Sequence, residues 1–115
     1  MNALLLASAL LAALGASPIA AAPAANAAAT VHIKDFAYHA ATLTVAPGTT
    51  VRFVNDDGEA HTVTASDKSF DSAGLDTSDA WTHTFTKPGT YTYFCALHPY
   101  MKGSVVVRAT GGTTQ

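Results

Sequence analysis

The chain has 115 residues, with six Lys or Arg against eight Asp or Glu and a net charge of −2. All the charged side chains lie after position 30, and the rest is long enough for one small core but not for two, which excludes a multidomain enzyme. A mildly acidic chain also lacks the basic face that a nucleic acid needs, so none is expected as a partner.

The charge-free start runs from Met1-Asn2 through an apolar stretch, Leu4 to Leu14, then Gly15, Ser17 and Pro18, to an Ala-rich tail ending at Ala29. It reads as a secretory signal peptide: the apolar run is too short to span a bilayer, although no Lys or Arg precedes it. Small-x-small triplets at Ala25-Asn26-Ala27 and Ala27-Ala28-Ala29 place cleavage near Ala27 or Ala29. The expected organisation is a leader over 1–29 and one domain over 30–115, exported and without stable membrane association after cleavage. The single cysteine, Cys95, allows neither an acylated N-terminal Cys nor an internal disulfide, so its presence in an exported chain needs another reason.

After Thr30 the signals are short β-branched or aromatic runs: Val31–Ile33, Leu43–Val45, Val51–Phe53, Thr62–Thr64, Trp81–Thr86, Tyr91–Phe94 and Val105–Val107. Ala46-Pro47-Gly48-Thr49 and Lys87-Pro88-Gly89-Thr90 set Pro, with its fixed φ, before Gly, which accepts positive φ, and read as tight turns. No window shows sustained helical periodicity. The spacing points to an all-β, antiparallel Greek-key sandwich of seven to eight strands. Ser66 to Asp79 is the one long irregular stretch, with room for a helical turn; its four Asp read as a solvated loop pinned by Phe70 and Leu75.

The chemistry gathers in Cys95-Ala96-Leu97-His98-Pro99-Tyr100-Met101, which sets a thiolate, an imidazole and a thioether at three-residue steps on a loop leaving a strand. His61, after the turn-rich Asn55-Asp56-Asp57-Gly58-Glu59-Ala60, can supply a fourth ligand. Two imidazoles and a thiolate with a weak axial Met form the ligand set that selects copper for electron transfer. His32, His39 and His83 share no short ligand spacing and read as structural, as do Trp81 and Phe85 on one strand face; Asp56, Asp57 and Glu59 read as turn residues.

The Cys95…His98…Met101 loop, the upstream His61, and the run Phe85-Thr86-Lys87-Pro88-Gly89-Thr90-Tyr91-x-Tyr93-x-Cys95 resemble the cupredoxins, the small blue copper proteins. The short spacing of Cys, His and Met is similar to that of the amicyanins; plastocyanins and pseudoazurins space His and Met further apart. The resemblance extends over 30–108, including Asn55, Phe70-Asp71-Ser72 and Gly103-x-Val105-Val106-Val107. It implies one copper ion cycling between Cu(II) and Cu(I), with His61, Cys95 and His98 as equatorial ligands and Met101 axial. Asn55 and Thr62 would lie in the shell behind them. Thr62 stands where the family usually has Asn, and its hydroxyl keeps one bridging group; Phe94 replaces the Tyr that plastocyanins offer as a second docking route.

The resemblance also implies a docking patch around His98, formed by Ala60, Leu97, Pro99 and Tyr100. The expected function is a periplasmic electron carrier, not an enzyme, serving transient redox partners such as a dehydrogenase or a c-type cytochrome, with a monomer as the default state. The alternative is copper storage, delivery or sensing, against which stands a Met count of two, one of them Met1. A copper oxidase or reductase would need further ligands, and five His with no His-x-His pair do not provide them.

Overall fold

Alternation of buried and exposed side chains organises the strand-like runs into two sheets. The structure, a computed structural model, describes residues 28–109. It contains β1 (Ala28–Lys34), β2 (Ala37–His39), β3 (Thr42–Val45), β4 (Thr49–Asn55), β5 (Thr64–Ala65), β6 (Ala80–Phe85), β7 (Gly89–Cys95) and β8 (His98–Val107). One sheet has the order β2-β1-β4-β6 and the other β3-β8-β7-β5, the all-β sandwich the sequence implies. The expected leader lies outside the described residues up to Ala27, and β1 begins at Ala28.

The core forms between the sheets from the inward faces: Val31 and Ile33 of β1, Val51 and Phe53 of β4, Tyr93 of β7 and Val105 of β8. Each fully buried side chain of this size stabilises the fold by about 1.5–3 kcal/mol. At Gly103, directly opposite Tyr93, an added Cβ would come within 2.6 Å of the tyrosine ring, so the position accepts only glycine as long as that ring stays in place. The Ala46–Thr49 turn closes as expected, with Gly48 at φ 92° and the Thr49 N–H donating to the Ala46 carbonyl at 3.2 Å.

Four details differ from the sequence reading. The sheets are mixed, because β1 pairs with β4 and β3 with β8 in parallel. Side-chain alternation is the same for either pairing direction; direction follows from the chain changing sheets between β2 and β3 and again between β3 and β4. β2 escaped notice because it is only three residues long. The strand expected over Thr62–Thr64 is displaced to Thr64–Ala65, since the Thr62 N–H points to Cys95 Sγ and the Val63 N–H donates to Ser72 Oγ rather than to a ladder. Ser66 to Asp79 holds no helical turn and is tied to its neighbours by isolated bridges, His61 to Leu75 and Thr64 to Asp71. Phe70 and Leu75 are buried and pin it, as expected.

Phe70 packs on β6, its ring 4.7 Å from that of His83, which stacks on Trp81 at 5.5 Å. Burial among these rings holds the His83 pKa below its ordinary value of 6.5. The unfolded chain therefore takes up this proton first as pH falls below that value, and His83 weakens the fold in acid while leaving it unaffected at neutral pH. His83→Gln is expected to lose less thermal stability than the parent between about pH 7.5 and about pH 5, read from melting midpoints at both ends. Equal losses would mean that the ring titrates alike in both states.

Candidate metal centre

Cys95 ends β7 and His98 opens β8, so Ala96-Leu97 is a two-residue hairpin turn rather than the longer loop the sequence suggested. From Gly89↔Val107 to Phe94↔Lys102 the strands keep one register, and a further step would set Cys95 against Met101; instead Cys95 pairs with His98. The break lies between Phe94 and Cys95. Cross-strand partners share a face, which brings Cys95 and His98 together. Continued alternation along β8 puts Met101 on the inward face with Val105 and Val107, and all three are buried.

His61 reaches the same place from the end of β4. Asn55, buried at that end, donates through Nδ2 to the carbonyls of Glu59 (2.8 Å) and Leu75 (2.9 Å) and accepts from the Asp57 N–H at 2.9 Å, which fixes the intervening turn. The His61 backbone exchanges two hydrogen bonds with Leu75, at 3.0 and 2.7 Å. His61 and Cys95 are completely buried, and His98 is half-buried.

Three donor atoms converge. His61 Nδ1 lies 3.7 Å and His98 Nδ1 3.6 Å from Cys95 Sγ, and all three atoms lie within 4.8 Å of one another. Metal–nitrogen and metal–sulfur bonds of about 2.0 and about 2.3 Å at a trigonal angle put N and S about 3.7 Å apart, so the spacing fits an ion held between them. Among the described residues this is the one group of three His, Cys, Asp or Glu side chains so arranged.

Hydrogen bonds fix the His61 ring and reach the Cys95 sulfur. His61 Nε2 lies 2.8 Å from Asp57 Oδ2; a carboxylate accepts, so Nε2 carries the proton and Nδ1 keeps its lone pair toward the sulfur. Burial pushes the Asp57 carboxyl up, but the Phe36 and Asp35 N–H groups, at 2.9 and 2.7 Å, and the His61 ring outweigh it and hold the pKa below the usual 3.8. The Thr62 N–H donates to Cys95 Sγ at 3.4 Å. The Thr62 hydroxyl accepts from the Ala96 N–H at 2.7 Å, linking the two ligand loops.

Two residues at the centre were not singled out from sequence. Asp57 was read as a turn residue; its signal was an acidic side chain four positions before a ligand-type His on the same turn. Phe36 gave none. It stands in the β1–β2 turn at φ 57° and meets the rings of His61 and His98 edge-on, at centroid distances of 5.2 and 5.0 Å. With Leu97 and Tyr100 it makes up the exposed large hydrophobics among the described residues, at 39, 55 and 69% exposure. Tyr100 lies edge-on to His98 at 6.1 Å, Pro99 is exposed and Ala60 is half-buried.

A family model described as a cupredoxin-like domain matches residues 4–107. The amicyanin of Paracoccus denitrificans is 35% identical over 96 residues, covering 79% of this chain and 73% of that protein. Among solved structures, a purple cupredoxin from Nitrosopumilus maritimus aligns with a TM-score of 0.67 and 31% identity over 70% of this chain and 99% of its own. A methionine-to-alanine variant of amicyanin in its Cu(I) form gives a TM-score of 0.67 and 33% identity over 72% of this chain and 84% of its own.

Asp57→Asn replaces an acceptor of three N–H groups by a side chain with a single acceptor oxygen. Denaturant unfolding of the metal-free variant is expected to show a loss of about 1–3 kcal/mol. A competitive metal titration should show affinity weakened by about 10- to 100-fold.

Proposed function

The chain belongs to the cupredoxin-like family, and we propose that it is an exported one-electron carrier built on a single type 1 copper ion. The observation that carries this reading is the convergence of His61 Nδ1, Cys95 Sγ and His98 Nδ1 at trigonal spacing. A soft thiolate with two imidazoles suits Cu(I) and still binds Cu(II), so one rigid donor set serves both oxidation states. Copper, when bound, supplies a reversible one-electron change in which no other bond is made or broken.

In this reading His61, Cys95 and His98 would hold the ion, and Met101 would add a weaker thioether donor. The residues behind them keep the donors still. Asp57 fixes the tautomer and orientation of His61, Asn55 sets the turn that carries it, and Thr62 ties that turn to Ala96 beside the thiolate. Phe36 covers the two imidazoles with an apolar ring, which keeps water from the donors.

His98 is the donor nearest the surface, and uncharged side chains surround it. Leu97, Pro99 and Tyr100, with Ala60 and Phe36, form a small apolar patch of the kind that suits a brief redox encounter. The partner class is a transient redox protein, a dehydrogenase or a c-type cytochrome. Export rests on the charge-free leader. Ala28 and Ala29 already pair with Thr50 and Val51, so cleavage after Ala27 leaves β1 whole.

The test is the visible spectrum of the protein with one equivalent of Cu(II), followed by ascorbate and then ferricyanide. An intense thiolate-to-copper band that bleaches and returns is expected in the parent and absent from Cys95→Ala, with the fold of the variant retained. Persistence of the band in that variant would remove Cys95 from the site. Met101→Ala should keep the copper and the band but shift the reduction potential; an unchanged potential would show that its sulfur is not a donor.

A further inference from the structure

On the solvent face of β1 and β2 the fold unites two histidines that sequence spacing kept apart. His32 and His39 are direct partners in the antiparallel β1–β2 register. Val31, Ile33 and Tyr38 are buried on the other face, so both imidazoles stand outward and are exposed. Such partners hold their Cβ atoms about 4.5–5.5 Å apart, close enough for two rings to reach one ion.

Each ring is already held by an oxygen that only accepts. His32 Nδ1 lies 2.6 Å from Asp56 Oδ2, and His39 Nε2 lies 3.0 Å from the Lys34 carbonyl oxygen. Those nitrogens therefore carry the protons, and in the neutral rings the lone pairs fall on His32 Nε2 and His39 Nδ1. One ring nitrogen donating to a carboxylate or carbonyl while the other stays free is how metal-ligating histidines are commonly oriented. Asp56 is itself fixed, its N–H donating to the Ile33 carbonyl at 2.8 Å. Lys34 is the nearby cation, its Nζ 3.4 Å from the Asp56 carbonyl oxygen rather than on the carboxylate.

We propose that His32 and His39 form a second, surface metal site for a borderline divalent cation of the Zn(II) or Cu(II) class. Asp56 orients His32, and water completes the coordination. The site stands apart from the buried centre and does not depend on what that centre binds.

The test titrates the metal-free parent and the double variant His32→Gln, His39→Gln with Zn(II) in a calorimeter, with imidazole ¹⁵N shifts followed in parallel. The parent should bind one equivalent more than the double variant, whether or not the buried centre takes an ion, and that extra event should move the His32 and His39 nitrogens. Asp56→Asn should weaken the same event by about tenfold or more. Both histidines and Asp56 are exposed, so the variants retain the fold. Equal stoichiometry in parent and double variant, or an extra event that leaves the His32 and His39 nitrogens unmoved, would overturn the proposal.

Discussion

A single break in the pairing of β7 with β8 makes the metal centre possible. Up to Phe94↔Lys102 the ladder is regular, and without the break Cys95 would face Met101 across it, with the chain turning further on. Re-pairing Cys95 with His98 closes the hairpin in two residues and leaves Pro99-Tyr100-Met101 as the surplus. The thiol and the imidazole meet at the rim, Met101 keeps its inward place, and Pro99 and Tyr100 are turned to solvent. Irregularities of this kind re-aim side chains at sheet ends, and here one of them sets both the donor cluster and the surface beside it.

The second constraint is electrostatic. A buried carboxylate stands on one side of the His61 ring and the Cys95 sulfur on the other, and burying the carboxylate is costly unless it is hydrogen-bonded. Asp57 is satisfied by two backbone N–H groups from the β1–β2 turn and by His61; Cys95 receives the Thr62 N–H. The β1–β2 turn thus has two tasks at once: its N–H groups hold Asp57 while the Phe36 ring covers the imidazoles. Next to Asp57, Asp56 points the other way, to His32 on the solvent face. Adjacent acidic residues therefore serve opposite sides of one sheet.

Much of this was legible in the chain. The loop Cys95…His98…Met101 announced its chemistry because its ligand types are rare and closely spaced, and His61 followed from the turn-rich segment before it. The runs that form β1, β4 and β7 were visible as β-branched and aromatic stretches. What escaped was whatever depends on contacts between distant segments. Parallel pairing of β1 with β4 leaves no mark on alternation, and β2 is too short to show a period. Phe36 lies far from every ligand in sequence and reaches them only through the fold.

By itself the sequence determined an all-β domain and the types of donor available to a metal, since these follow from residue identity, strand-like runs and close spacing, while the patch near His98 came from the family resemblance. Tertiary structure alone decided which residues stand opposite one another: Cys95 against His98, Phe36 against two imidazoles, His32 against His39. The reason is that register and sheet order are set by packing of the whole core and by where the ladder breaks, and neither is encoded in any short window of residues.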